Sequence, residues 1–317
     1  MNMRTSRLKT GCAAAVLGIS LVLGGCAQTG GSQGAFDASS EENGKLKVAV
    51  TLFPYYDFVR QIAGNQVDLQ MVIPAGMDSH SFEPTPADMI TIQNADVLIC
   101  NGGAMEHWLE RVLSAVESPH MVIMTGMDYV DTVQEEIVEG MEEETHDHDH
   151  GHGHGDEPGH EDMYSHDLAD DDGHGEEIEY DEHIWTSPVN AMKLVKGIEE
   201  TLSAADPGSR AEYEANAESY LLKLKQLDQE FRDVTAHEKR NMIIVGDKFP
   251  YRYLADEYGL RYRAAFSGCS TDTEPSARTI AYLIDKMKSE QIPVIYYPEL
   301  TSHRVAEIIA EETGAKP

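Results

Sequence analysis

Lys45-Leu46-Lys47-Val48-Ala49-Val50-Thr51-Leu52-Phe53, with Pro54 directly behind it, is an apolar run of strand length that ends where a helix can begin. It reads as a buried strand, and Tyr55 to Ala63 as the helix that Pro54 opens. The same alternation continues downstream. Strands are expected at Val67 to Ile73, Asp96 to Cys100 and Met121 to Met124, with helices at Ala87 to Asn94 and Trp108 to Val116. Strands alternating with helices imply an α/β fold with a mainly parallel sheet. The alternation restarts late in the chain. Met242 to Val245, Tyr262 to Phe266 and Val294 to Tyr297 read as strands, and Tyr251 to Tyr258, Ser276 to Glu290 and His303 to Thr313 as helices, so a second lobe repeats the plan of the first.

Between the halves lies a helical stretch. Ser187 is placed as an N-cap with Pro188 in the first turn, and that helix runs to about Ala204, where Asp206-Pro207 interrupts it. From Gly208 to about His237 one amphipathic pattern carries Tyr213, Ala217, Tyr220, Leu221, Leu224, Leu227 and Phe231 on one face. At ~1.5 Å per residue it would reach over ~40 Å, enough to span two lobes.

The chain has 317 residues, 56 acidic against 24 basic, for a formal net charge of -32. Asp131 to Glu182 contains no Lys or Arg and supplies roughly two-thirds of that excess, so the charge is a local block. Nucleic acid is excluded as a partner on this balance. Within the block, at about 141–179, histidines alternate with acids and glycines: His146, His148, His150, His152, His154 and His160, then His166 and His174. Too few apolar residues are present to offset the entropy of ordering, so a loop is expected. Its imidazoles are ligands for metal ions, and an engineered tag would be terminal and uniform.

The chain opens with Arg4, Arg7 and Lys9 before an apolar run from Cys12 to Leu23, too short for a membrane span and flanked like a secretory signal. Leu23-Gly24-Gly25-Cys26 resembles the lipobox of bacterial lipoproteins, which implies a signal peptide at 1–25 and lipidation of Cys26. Residues 26–44, rich in Gly, Ser and Gln, read as a flexible tether. The expected location is extracytoplasmic, lipid-anchored to the bacterial membrane. Cys100 and Cys269 remain for the folded part, either as one disulfide or as two idle thiols.

Pro74-Ala75-Gly76-Met77-Asp78-Ser79-His80-Ser81-Phe82-Glu83-Pro84, Asp181-Glu182-His183-Ile184-Trp185-Thr186-Ser187-Pro188, Tyr253 to Leu260 and Glu274-Pro275-Ser276-Ala277 occur in an order that resembles one family. It is the metal-binding lipoproteins that serve zinc or manganese ABC importers. The resemblance covers nearly the whole chain and implies two Rossmann-like α/β lobes with mainly parallel sheets, joined by one long rigid helix. The lobes would be 45–186, carrying the His-rich loop, and 238–317, with interlobe helices at 187–237. Since a further strand and closing helix are expected after Pro317, the second lobe is expected to be truncated there. A monomer is expected, working with an ABC permease and its ATPase.

The resemblance implies His80 and His183 as metal ligands, with Trp185 covering the site. At the third position the family has a His or Glu, and this chain has neither. Counting forward from the strand gives Asp247 and counting back from Tyr258 gives Lys248; a protonated Lys is no ligand, so Asp247 is preferred, with helix capping as its alternative role. The fourth ligand would fall beyond residue 317, with Glu299 as a substitute. Glu106, His107, His120, His237 and His303 read as structural. Zn2+ is the expected cargo because a tract of imidazoles suits zinc better than Mn2+, which remains the alternative. No His-Glu-x-x-His pattern supports a zinc hydrolase, so no enzyme is expected. A surface adhesin of the same fold is a further alternative.

Overall fold

The computed structural model describes residues 44–116, 118–141, 179–270 and 274–317. Cys26, the leader and almost all of the tether lie outside the described residues, as do the loop histidines His146, His148, His150, His152, His154 and His160.

In the first lobe the chain runs β1 (Leu46–Val50), α1 (Phe53–Ala63), β2 (Val67–Met71), α2 (Pro86–Gln93), β3 (Val97–Cys100), α3 (Leu109–Ala115) and β4 (Val122–Thr125). The four strands form one sheet in the order β2-β1-β3-β4, with every neighbouring pair parallel. Sequence follows position in the sheet. Central β3, Val97-Leu98-Ile99-Cys100, is buried at every residue, as a parallel strand covered on both faces must be. Edge strand β4 leaves Val122 and Ile123 exposed. Pro54 lies in the first turn of α1, and α2 begins with a capping box in which Thr85 and Asp88 satisfy each other's backbone N–H groups.

Two helices follow, α4 (Pro188–Ala205) and α5 (Arg210–Ala236). The Ser187 side chain accepts from the Val189 and Asn190 amides, so the expected cap forms. At 27 residues, α5 is ~40 Å long. Its first half belongs to the first lobe: Tyr213 and Ala217 are buried, Tyr220 lies 6.2 Å from Phe58, and the Asn216 amide donates to the Ile62 carbonyl at 2.9 Å. Its second half reaches the other lobe, where Phe231 stacks on Tyr258 at 5.0 Å and Arg232 meets Glu257 at 2.7 Å.

The second lobe contains β5 (Met242–Phe249), α6 (Arg252–Tyr258), β6 (Arg261–Ser267), α7 (Ala277–Glu290) and α8 (Arg304–Thr313), with β5 and β6 parallel. The strand expected at Val294 to Tyr297 is reduced to single parallel bridges, Tyr296 to Val245 and Val294 to Lys316. Pro293 and Pro298 flank it and lack the N–H groups that would lengthen the ladder. Read across the lobe, β6, β5, Tyr296 and Lys316 have the same neighbour order as β2-β1-β3-β4, so the plan does repeat. Gly246 sits where α8 presses on β5, and a Cβ there would lie 3.1 Å from Ala306 backbone atoms.

Two expectations change. Strand β5 continues past Val245 to Phe249 through a shift in register between Val245 and Lys248, which places Asp247 and Lys248 inside the strand. Residues 136–141, expected in the first lobe, make contacts with the second: Val138 and Met141 join the cluster of Val245, Phe249, Ala255 and Tyr262. Arg252 reaches Glu136 at 3.6 Å and Arg263 reaches Glu139 at 3.6 Å. The chain returns at Tyr180, which pairs antiparallel with Gln134.

Candidate metal centre

His80 lies on the loop after β2. Its neighbour Phe82 is buried edge-on against Trp108, ring centres 5.2 Å apart, so the loop is nailed to the first core two residues from the imidazole. The Asp78 carboxylate accepts from the His80 amide at 3.1 Å. The ring's Nε2 is buried with no protein partner. Burial first, then His183, pushes the imidazole down to about 4, with the charge of Lys248 acting the same way. At neutral pH it is therefore an uncharged ring with a lone pair to give.

His183 stands just before a 3-10 turn, Ile184–Thr186, that leads into α4, and its side chain is 12% exposed. Its ring centre is 5.8 Å from that of His80 and 5.6 Å from that of Trp185. Asp181, buried, holds it twice: Oδ1 accepts from the His183 amide at 2.8 Å and lies 3.2 Å from Nδ1. A carboxylate on one ring nitrogen fixes the tautomer and leaves the other nitrogen for a metal. The Asp181 backbone is itself tied down, its N–H donating to the Val133 carbonyl at 3.0 Å and its carbonyl accepting from the Tyr253 hydroxyl at 2.7 Å.

Glu182 points the other way along the chain. Its carboxylate accepts from the amides of Ala104 and of Met105, the latter at 2.7 Å. Gly103, at φ 84°, makes room, since a Cβ there would collide with the Glu182 carboxylate. Desolvation nevertheless pushes this carboxyl up to about 7, against the pull of those two amides. Glu106 accepts from the Asn101 and Gly102 amides, both at 2.9 Å, and Asn101 donates to the Glu182 carbonyl at 3.0 Å, so the floor beneath Glu182 is one hydrogen-bonded unit.

A third element arrives from the second lobe. Just past β6, Gly268 packs so closely that a Cβ would lie 3.0 Å from Asp181 Oδ2 and 3.2 Å from His183 Nδ1. Cys269 follows, its amide donating to Glu135 Oε1 at 3.0 Å. Ligand atoms of His80, Glu182 and Cys269 lie within 4.8 Å of one another, and so do those of Asp181, His183 and Cys269. Both cysteines are free thiols, so the disulfide alternative falls. Burial, then the Glu135 carboxylate, pushes the Cys269 thiol well above its ordinary range.

The structure thus brings His80 and His183 together and adds three residues the sequence reading had not proposed as ligands: Asp181, Glu182 and Cys269. It does not bring Asp247 to them. Oδ1 of Asp247 accepts from the adjacent Lys248 amide at 2.7 Å, and the N-cap of α6 is Tyr251 with no side-chain cap, so Asp247 does not cap that helix either. Lys248 is the residue of β5 whose charge acts on His80. Glu299 is exposed and outside both groups. His303 packs at a tilt against Tyr297, ring centres 4.1 Å apart, and His107 faces Glu83 at 3.7 Å, in keeping with structural roles.

Two imidazoles 5.8 Å apart, one of them held by a buried carboxylate, form with Glu182 and Cys269 a cluster of side chains that could hold a metal ion. The sequence profile of the family described as ZnuA, zinc-uptake complex component A, periplasmic, matches residues 48–317. The chain belongs to this family. Its members are solute-binding components of zinc uptake rather than enzymes, and they work outside the cytoplasm with a transporter. The high-affinity zinc uptake system protein ZnuA of Bacillus subtilis is 33% identical over 286 residues, 90% of this chain and 81% of its own length. The zinc-binding lipoprotein AdcA of Streptococcus pneumoniae is 32% identical over 276 residues, 87% of this chain, which spans 50% of AdcA. The crystal structure of the Zn(II)-bound ZnuA-like domain of Streptococcus pneumoniae AdcA superposes with a TM-score of 0.62 at 28% identity, covering 86% of each chain.

Proposed function

We propose that this chain captures Zn2+ outside the cytoplasmic membrane on His80 and His183 and delivers it to the permease of an ABC importer driven by its ATPase. The observation that carries the reading is the pair of facing imidazoles, one with a buried unpartnered Nε2 and the other oriented by a buried carboxylate. A site built on neutral nitrogens binds zinc more tightly than manganese, which prefers oxygen-rich octahedral surroundings. Cys26 carries the lipid that keeps the protein at the membrane. The histidines from His146 to His160 form a second, weaker class of sites, in a stretch too poor in apolar residues to offset the entropy of ordering that each chelation costs.

Native mass spectrometry of the full chain tests this. Zinc should be the metal retained, and deleting residues 145–175 should strip the weak class while leaving one ion bound. Loss of every ion with that deletion would refute the assignment to His80 and His183.

A further inference from the structure

The two imidazoles leave a gap in their coordination that β5 does not fill. Where the family carries a His or Glu, this chain presents Asp247, turned onto its own backbone, and Lys248, whose positive charge already acts on His80. One side chain is common to both clusters of potential ligand atoms: Cys269, whose sulfur stands within 4.8 Å of a nitrogen of His80 and of a nitrogen of His183. Tetrahedral zinc with ordinary Zn–N and Zn–S bonds needs nitrogen and sulfur about 3.6 Å apart, so each imidazole–sulfur pair lies within roughly an ångström of that separation.

We infer that the Cys269 sulfur is the third protein ligand of the captured ion, taking the place left by the missing residue on β5; this rests on the zinc-capture reading above. The surroundings fit a thiolate bound to a dication. Asp181, Glu182 and Glu135 surround the sulfur with negative charge that only a cation offsets, and the Glu182 backbone N–H favours the thiolate. On binding, the thiol S–H bond breaks, its proton leaves to solvent, and the sulfur lone pair forms the bond to the metal. The Glu135 contact to the Cys269 amide and the tight seat of Gly268 against Asp181 fix the backbone that carries the sulfur.

Cobalt(II) is the probe, because a thiolate on cobalt gives an intense near-ultraviolet charge-transfer band that imidazoles and carboxylates do not. The full chain loaded with one equivalent of cobalt should show the band. Cys269→Ser should abolish it and weaken zinc at least about tenfold, the lower end of what losing even an outer contact to a metal site costs, while Cys100→Ser should change neither. One bound ion without the band, or a Cys269→Ser chain with wild-type zinc affinity, overturns the inference and leaves zinc capture standing. A wild-type chain that retains no ion in native mass spectrometry overturns both.

Discussion

Removing the Asp181 carboxylate separates geometry from charge at the centre. Asp181 is 2% exposed at its side chain, and its Oδ1 serves both the amide and Nδ1 of His183. Asp181→Ala lets the ring turn and leaves the His183 amide without its acceptor. Loss of an outer carboxylate behind a ligating His typically weakens metal binding about 10–100-fold, or about 1.4–2.7 kcal/mol. Asp181→Asn keeps an oxygen in the same place and loses only the charge, so its effect should fall near the lower end of that range. Competition against a chromophoric chelator at one pH reads both, with circular dichroism to show that the fold persists. If Asn costs as much as Ala, Asp181 binds the ion directly. If neither variant moves the affinity, the carboxylate does not orient His183 and the reasoning fails.

Lys248→His puts an imidazole on the β5 residue whose charge acts on His80 and should tighten zinc, whereas Asp247→Ala should leave affinity unchanged; calorimetry showing the reverse would return the third position to Asp247. Ser187→Ala removes the acceptor for the Val189 and Asn190 amides and should lower stability by about 1 kcal/mol in urea unfolding, with zinc affinity nearly intact. Glu106 is held above the usual carboxylate range by burial, so its favourable contribution is full below the unfolded pKa, near ~4.3, and is lost as pH rises through the folded value. Glu106→Gln keeps an acceptor for the Asn101 and Gly102 amides, and the variant should be more stable than wild type at pH 7, with the difference shrinking towards pH 4. A constant difference across that range would exclude the titration of Glu106 as its cause.

The alternation of apolar runs and helix starts made both lobes legible, because parallel strands buried on two faces leave continuous Val, Leu and Ile runs such as Val97-Leu98-Ile99. That His80 and His183 come near each other was legible because each sits in a local stretch whose residue order is distinctive. Asp247 lies outside both groups of ligand atoms for a physical reason: which side chain of a strand faces a cleft depends on register, and the irregularity between Val245 and Lys248 shifts it without a mark in the sequence. Cys269 was passed over as an idle thiol, since only the parallel pairing of β6 with β5 carries it beside the turn at His183. The contact of residues 136–141 with the second lobe was equally hidden, their few apolar residues, Val138 and Met141 among them, giving no period to read.

Zinc affinity of the wild-type chain beside His80→Ala, His183→Ala and His303→Ala, measured by chelator competition at neutral pH, tests the central claim most directly. The first two substitutions should each weaken the tight site by at least about tenfold, since removing a ligand costs no less than removing its outer support. His303, packed at a tilt against Tyr297 and outside both clusters, should change nothing. Equal losses from all three, or none from His80 and His183, would show that the captured ion lies elsewhere.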